Sequence, residues 1–349
     1  MSPSGAISAE RKSLRLVRAD SLRIGALVAL VVLLAFVVVW SVTLGTSLIT
    51  PSGVLRAIVA FDGSREHLVV TTLRLPRALA GLLVGSALAV AGAIMQAVTN
   101  NPLASPGLLG LNAGAAFAVV VATSAFGLSA GGAFVWFAFA GAGVAAVFVY
   151  ALGSAGASGA TPLKLVLAGA VLSGFLTSLT AAILIFDQTT FDAVRLWTAG
   201  SLSGRTTAQV ATVTPYIFVG LGTALFFRRH LMTLSLGTDV ARSVGQNPAI
   251  WRGVAVAIVI LLAGGAVALA GPIGFVGLIV PHVVRLTVGV DYRWIVPFSA
   301  VGGALLVVLA DTLGRTWFAS QSFPVGVTMA LVGAPFFLWL ARSRVGRTP

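Results

Sequence analysis

Few residues in this chain could do chemistry, and the most conspicuous are arginines. Arg74 and Arg77 flank Leu-Pro at the head of a long apolar run, and Arg315 stands four residues after Asp311 at the tail of another. A guanidinium is a rigid fork of donors that suits bidentate pairing with a carboxylate. That carboxylate could belong to a partner or, for Asp311 and Arg315 at helical spacing, to the chain itself; phosphate anchoring at lipid headgroups is the third use of such a charge. The other polar stretch is Arg228–Arg252, RRHLMTLSLGTDVARSVGQNPAIWR. Within it Thr238 can cap a short helix, Asp239 suits the positive N-terminal end, and Gly245 can terminate it. Val240 and Val244 share one face. A helix this short is marginal alone and gains stability by docking.

Most catalytic chemistries are excluded. The two lysines, Lys12 and Lys164, do not follow a glycine, so no phosphate-binding G-x-x-x-x-G-K-[ST] loop exists and ATP hydrolysis by that route is absent. His67, His230 and His282 lack ligand-like spacing and there is no cysteine, so neither a metal site nor a disulfide is expected. No serine sits in a nucleophile-elbow pattern. No catalytic residue and no cofactor are therefore expected. The nine acids (Glu10, Asp20, Asp62, Glu66, Asp187, Asp192, Asp239, Asp291, Asp311) fall in tails, loops or span ends. An ion-coupled carrier, the alternative of a different class, would normally need one near mid-membrane.

The elements that must position these residues are apolar helices. The chain is 58% hydrophobic and 9% charged, which defines an all-α integral membrane protein. Its net charge of +13 flanks the apolar runs without forming an aromatic-laced patch, so it marks topology and not nucleic acid. A basic tail occupies residues 1–23, followed by one ten-helix domain over 24–341 and a short tail over 342–349. Apolar runs near 24–44, 76–98, 107–126, 132–152, 163–186, 209–227, 251–270, 273–290, 295–313 and 325–341 predict the ten spans. The first run lacks a cleavage pattern and reads as a retained span. Val54–Phe61 is too short to cross and reads as an interfacial helix. With both termini inside, the inner segments hold 15 of the 22 basic residues, all but Arg56, Arg65, Arg74, Arg77, Arg195, Arg205 and Arg315. The segment about 228–252 is then an inner loop, while Arg74, Arg77 and Arg315 face outward. Glycines at four-residue spacing, such as Gly81 and Gly85, predict close helix packing inside the chain. Breaks are expected at Asn101-Pro102, Pro106-Gly107, Gly271-Pro272 and Pro324.

Four blocks carry a resemblance: Arg74–Gly114, Leu234–Gly245, Gly271–His282 with Arg285, and Pro324–Gly326 through Gly333–Pro335. On these, the chain resembles the membrane permease subunits of ABC importers for iron–siderophore complexes, haem and cobalamin. The resemblance implies a dimer with a second copy or a related permease, two ABC ATPase subunits beneath it, and an extracytoplasmic substrate-binding protein. It implies a bacterial cytoplasmic membrane with its lipid as the setting. It makes the short helix a coupling helix seated on the ATPase, with Leu236, Gly237, Thr238, Asp239, Ala241 and Gly245 at its site. It makes Arg74, Arg77 and Arg315 the dock for binding-protein glutamates, and puts Trp197, Gly200 and Ser201 at the outer mouth. Asn101, Pro102, Pro106, Gly107, Gly271, Pro272 and Pro324 then serve as hinges or fixed ends in alternating access. Ser105, Tyr292 and Phe323 depart from the family's usual acidic residue, histidine and leucine. The wording of Arg195–Ser201 and Leu111–Ala115 leans toward the ferric-siderophore members.

Overall fold

The computed structural model describes residues 3–345, apart from 46–47, 129–131, 156–160 and 319–322. The helices in chain order are α1 (Pro3–Thr43), α2 (Pro51–Val59), α3 (Arg65–Val69), α4 (Leu75–Thr99), α5 (Leu111–Phe126), α6 (Gly132–Ser154), α7 (Pro162–Phe186) and α8 (Gln188–Thr198). They continue as α9 (Thr207–Phe226), α10 (Arg228–Ser235), α11 (Thr238–Ser243), α12 (Pro248–Val259), α13 (Gly265–Ala270), α14 (Val276–Val288), α15 (Tyr292–Trp317) and α16 (Val325–Val345). Wide π turns at Val70–Arg74 and Ile260–Gly264 join α3 to α4 and α12 to α13, and a 3₁₀ turn at Pro106–Leu109 precedes α5. No strand occurs among the described residues.

Seven helical stretches among the described residues are long and apolar enough to cross a membrane. Three shorter apolar helices, Leu111–Phe126, Val276–Val288 and Val325–Leu338, fall on the remaining expected runs. The interfacial segment is helical as α2, capped by the Thr50 hydroxyl, which accepts from the Gly53 N–H at 3.2 Å. α1 begins at Pro3, so the backbone of the basic stretch read as a tail is helical and continuous with the first span. Its Ala, Glu, Arg, Lys and Leu are good helix formers, so the backbone of the first span extends backward without any apolar periodicity.

The bundle is organised around α4. Its Ala-Gly-Val sequence is buried along nearly its whole length, because small side chains let α9, α13, α14 and α15 close on it from every side. Gly85 meets Gly303 of α15, where a Cβ on either residue would overlap the other's carbonyl. Gly92 lies still closer to α14, where a Cβ would overlap the Gly277 carbonyl. The expected use of the glycines for packing within the chain is therefore what α4 displays. By contrast, α1 and α7 leave most of their apolar surface exposed, including Phe36, Val171 and Phe175.

Candidate functional site

At roughly 1.5 Å per residue, α4 is about 37 Å long, so its two ends can carry separate sites. Its first end holds the arginines. Arg77 grips Asp311 of α15 with both arms of its guanidinium, Nε to Oδ2 and Nη2 to Oδ1, each at 2.8 Å. Arg315 lies farther from the same carboxylate, at 3.9 Å from Oδ2. The pair that helical spacing proposed is thus the weaker contact, and the dominant partner is 234 residues away in sequence.

Arg74 and Arg315 have a common task. Arg74 Nη1 donates to the carbonyls of Val42 and Thr43, both at 2.9 Å. Arg315 Nη1 donates to the Leu44 carbonyl at 3.0 Å, and its Nη2 to the Ser41 hydroxyl at 2.9 Å and to the Ser41 carbonyl. These carbonyls lie at the C-terminal end of α1, where the last turn has no basic residue of its own and the backbone acceptors carry partial negative charge. Two arginines from elsewhere in the chain supply that cap. Arg74, Arg77 and Arg315 are accordingly only 5–8% exposed, each fastened within its own chain.

Their guanidiniums nevertheless line one cavity of about 400 Å³, together with Arg65 and Arg205. Arg205 donates to the carbonyls of Leu269 at 3.2 Å and Ser203 at 3.3 Å, and burial pushes its guanidinium below the usual arginine range. Arg65 is exposed at the rim. Five guanidiniums around one basin can take an anionic group. Neither Arg65 nor Arg205 stood out in sequence, since each sits in a short polar stretch between apolar runs.

The other end of α4 stops at Asn100, in the left-handed conformation, before the expected Asn101-Pro102 break. The Asn101 side chain accepts from the Leu103 N–H at 2.9 Å and turns the chain toward Pro106-Gly107. A polar knot stands behind this turn. Gln96 donates to the carbonyls of Ala104 at 3.3 Å and Gly277 at 3.2 Å and accepts from Arg285. Tyr292, one of the departures from the family pattern, donates to the Ala93 carbonyl at 2.9 Å. Gln96 escaped the sequence reading; its one signal was being the sole amide within an apolar 25-residue helix.

A smaller cavity of about 250 Å³ joins this knot to Ser235 and Leu236. There α10 leads into α11. Thr238 does not cap α11: the cap position is Gly237, with φ of 106° and no side-chain bond, and Thr238 is the first helical residue. Its hydroxyl instead accepts from Arg252 Nη2 at 2.7 Å. Asp239 is exposed in the first turn, as its charge requires. Gly245, with φ of 77°, ends the helix as expected: its N–H bonds the Arg242 carbonyl while Gln246 N–H bonds that of Ala241, both at 2.9 Å. The residues of the predicted site divide in two. Ala241 is fully buried against the chain, whereas Leu236 (54% exposed), Val240 (42%) and Val244 (66%) form a bare apolar ridge.

The third predicted group, Trp197, Gly200 and Ser201, is a packed junction. Trp197 and Ser201 are buried, with Trp197 edge-on to Phe134 at 5.5 Å. Ser201 N–H bonds the Ala270 carbonyl at 2.8 Å, and the Gly200 carbonyl accepts from Gly326 N–H at 2.9 Å. Gly200 also lies against the Pro272 carbonyl, and Gly271 against that of Trp197. The breaks at Gly271-Pro272 and at Pro324, just before α16, therefore meet the Trp197–Ser201 turn at one knot. Their local flatness needs glycine, because a Cβ would strike backbone. Among the described residues no group of three His, Cys, Asp or Glu could hold a metal.

The described residues thus form an all-helical bundle in which seven helices are long and apolar enough to cross a membrane. The profile of the FecCD transport family matches residues 33–343, and the chain belongs to that family. It is 43% identical over 327 residues to the Fe(3+)-citrate import system permease protein YfmD of Bacillus subtilis, covering 93% of this chain and 97% of that one. To the iron(3+)-hydroxamate import system permease protein FhuB of the same organism it is 44% identical over 304 residues, covering 86% and 79%. To the ferric enterobactin transport system permease protein FepD of Escherichia coli it is 39% identical over 315 residues, covering 90% and 94%. Among solved structures, a metal-chelate type ABC transporter in an inward-facing conformation superposes with a TM-score of 0.77 at 26% identity, over 91% of this chain and 99% of that one.

Proposed function

We propose that this chain is the permease subunit of an ATP-driven ABC importer that moves a ferric-siderophore complex across a bacterial cytoplasmic membrane by alternating access. The observation that carries the reading is the bare ridge of Leu236, Val240 and Val244 at one end of α4, in a member of a transport family that lacks its own phosphate-binding loop. Apolar side chains left bare on and beside a six-residue helix outside the apolar spans are stabilised by a partner's groove. An ABC ATPase supplies the groove and the hydrolysis, so this chain is not itself an enzyme. The dimer partner is a second copy or a related permease, with the exposed faces of α1 and α7 turned to lipid or to that copy. The relatives' names span citrate, hydroxamate and enterobactin complexes, which supports iron chelates over cobalamin without choosing one.

At the opposite end, the arginine basin would receive a carboxylate of an extracytoplasmic binding protein. Arg74, Arg77 and Arg315 shape the basin while holding α1 and α15, and Arg65 and Arg205 extend it toward the rim. Both termini would lie in the cytoplasm, as the distribution of basic residues requires.

The test is uptake by the complete transporter reconstituted in vesicles, with labelled ferric chelates set against haem and cobalamin. ATP-dependent uptake of a ferric chelate supports the reading. Uptake that proceeds without the ATPase would instead make the chain a channel or an ion-coupled carrier. Arg65→Glu in the same vesicles should weaken docking of the binding protein without loss of thermal stability.

A further inference from the structure

α11 is short of two full turns, its cap is a glycine, and Val240 stands exposed on it between Leu236 and Val244. A helix of that length has little rigidity of its own, so whatever pushes on it is passed on only through the side chains that fasten it. Ala241 packs inward. Gln246 Nε2 donates to the His230 carbonyl at 3.2 Å, tying the end of α11 back to α10. The link toward the membrane-spanning part is Arg252, in α12, whose Nη2 donates to the Thr238 hydroxyl at 2.7 Å. α12 continues through the wide turn at Ile260–Gly264 into α13, whose Gly265–Ala270 are all buried against the core around α4.

Arg252 is 8% exposed. Keeping a guanidinium out of water is costly, yet this one spends a donor on the neutral hydroxyl of the first residue of α11. Helix capping does not explain the threonine, because Thr238 caps nothing.

We propose that Arg252 is a positioning residue for coupling: it ties the first turn of α11 to α12, so that a displacement of α11 by its partner moves the seventh apolar span instead of only bending the loop. This rests on the reading of α11 as the element that meets the ATPase. It differs from that reading in placing the transmitting contact on the buried side of the helix, at a residue the partner never touches.

The experiment uses the complete transporter in vesicles and reads chelate imported per ATP hydrolysed, together with ATPase co-purification and melting temperature. Arg252→Met should lower the import-to-hydrolysis ratio by roughly tenfold to a hundredfold, the range that loss of one charge-assisted hydrogen bond allows. Thr238→Val, which removes the acceptor and leaves the guanidinium in place, should lower it similarly, with ATPase binding retained. The double variant should be no worse than the worse single one, and Arg252→Lys should recover part of the ratio because an ammonium can still donate to the hydroxyl. An unchanged ratio in Thr238→Val, or additive losses, overturns the proposal. So does a fall in melting temperature at unchanged ratio, which is what a purely structural contact would produce. If the unaltered chain fails to bind the ATPase at all, the broader reading falls and this one with it.

Discussion

At one end of α4, arginines spend their donors inside the chain; at the other, valines and a leucine stand bare. Arg77 holds Asp311, while Arg74 and Arg315 cap the carbonyls of α1. Leu236, Val240 and Val244 touch little of their own protein. In sequence both ends look partner-facing, the arginines by their charge and the short helix by its need to dock. The difference teaches that charge near the end of a span is not by itself a docking signal. A guanidinium that finds carbonyls or a carboxylate within its own bundle will take them, since the alternative is an unpaired charge beside hydrocarbon. Exposed apolar side chains have no such internal outlet, so they report an absent partner more directly.

The sharpest way to break this contrast is to remove one arginine. Arg77→Met removes the bidentate partner of buried Asp311 and leaves it only the 3.9 Å contact with Arg315, and should cost about 3–5 kcal/mol by denaturant or thermal unfolding in micelles. Adding Asp311→Leu should restore part of it, because two apolar groups replace the bidentate pair while Arg315 keeps its bonds to Ser41 and Leu44. If Arg77→Met melts with the parent, the arginine end is a dock held ready and not a fastening.

A smaller effect separates the two faces of α11. Ala241→Leu inserts bulk into the closed side and should destabilise by about 1–3 kcal/mol. Val240→Ser with Val244→Ser should change stability by no more than about 0.5 kcal/mol while weakening ATPase capture, measured by co-purification. Equal destabilisation by both would mean that the ridge is packed within this chain after all.

The least effect is expected on acidification, at carboxylates outside both fastenings. The Thr190 hydroxyl, at 2.6 Å, then the Thr190 N–H and the Ser124 hydroxyl, hold Asp187 below the usual carboxylate range. Hydrogen bonds from Ser64 do the same for Asp62. A carboxyl group lowered in the folded state contributes stability above its unfolded value of about 3.9, and loses it as pH falls through the folded value. Melting temperature should therefore drop slightly on titration below about pH 4, and Asp187→Asn should flatten that drop.

The helix ends were legible because their causes are local. Gly245 ends α11 since a residue tolerant of positive φ is needed there, and α4 ends at left-handed Asn100, just ahead of the Asn101-Pro102 break that proline marked in sequence. The alanines and glycines of α4 likewise announced a helix crowded on every side. The residues that bear on function were harder to see. Thr238 looked like a cap by type and position, and nothing nearby in sequence indicated that Arg252 would claim its hydroxyl. Gln96 carried only the anomaly of an amide in an apolar run.

The sequence by itself determined the class of protein, the positions of the apolar helices and the family, because hydropathy, helix breaks and motif spacing act over a few neighbouring residues. Only the tertiary structure decided what each polar group is for. The hydrogen-bond partners of Arg77, Arg74, Arg315, Thr238 and Gln96 lie on other helices, up to 274 residues away for Arg315 and Ser41. Choice among such partners follows from burial, which no local pattern encodes: once a group leaves water it must take the nearest donor or acceptor the packing provides.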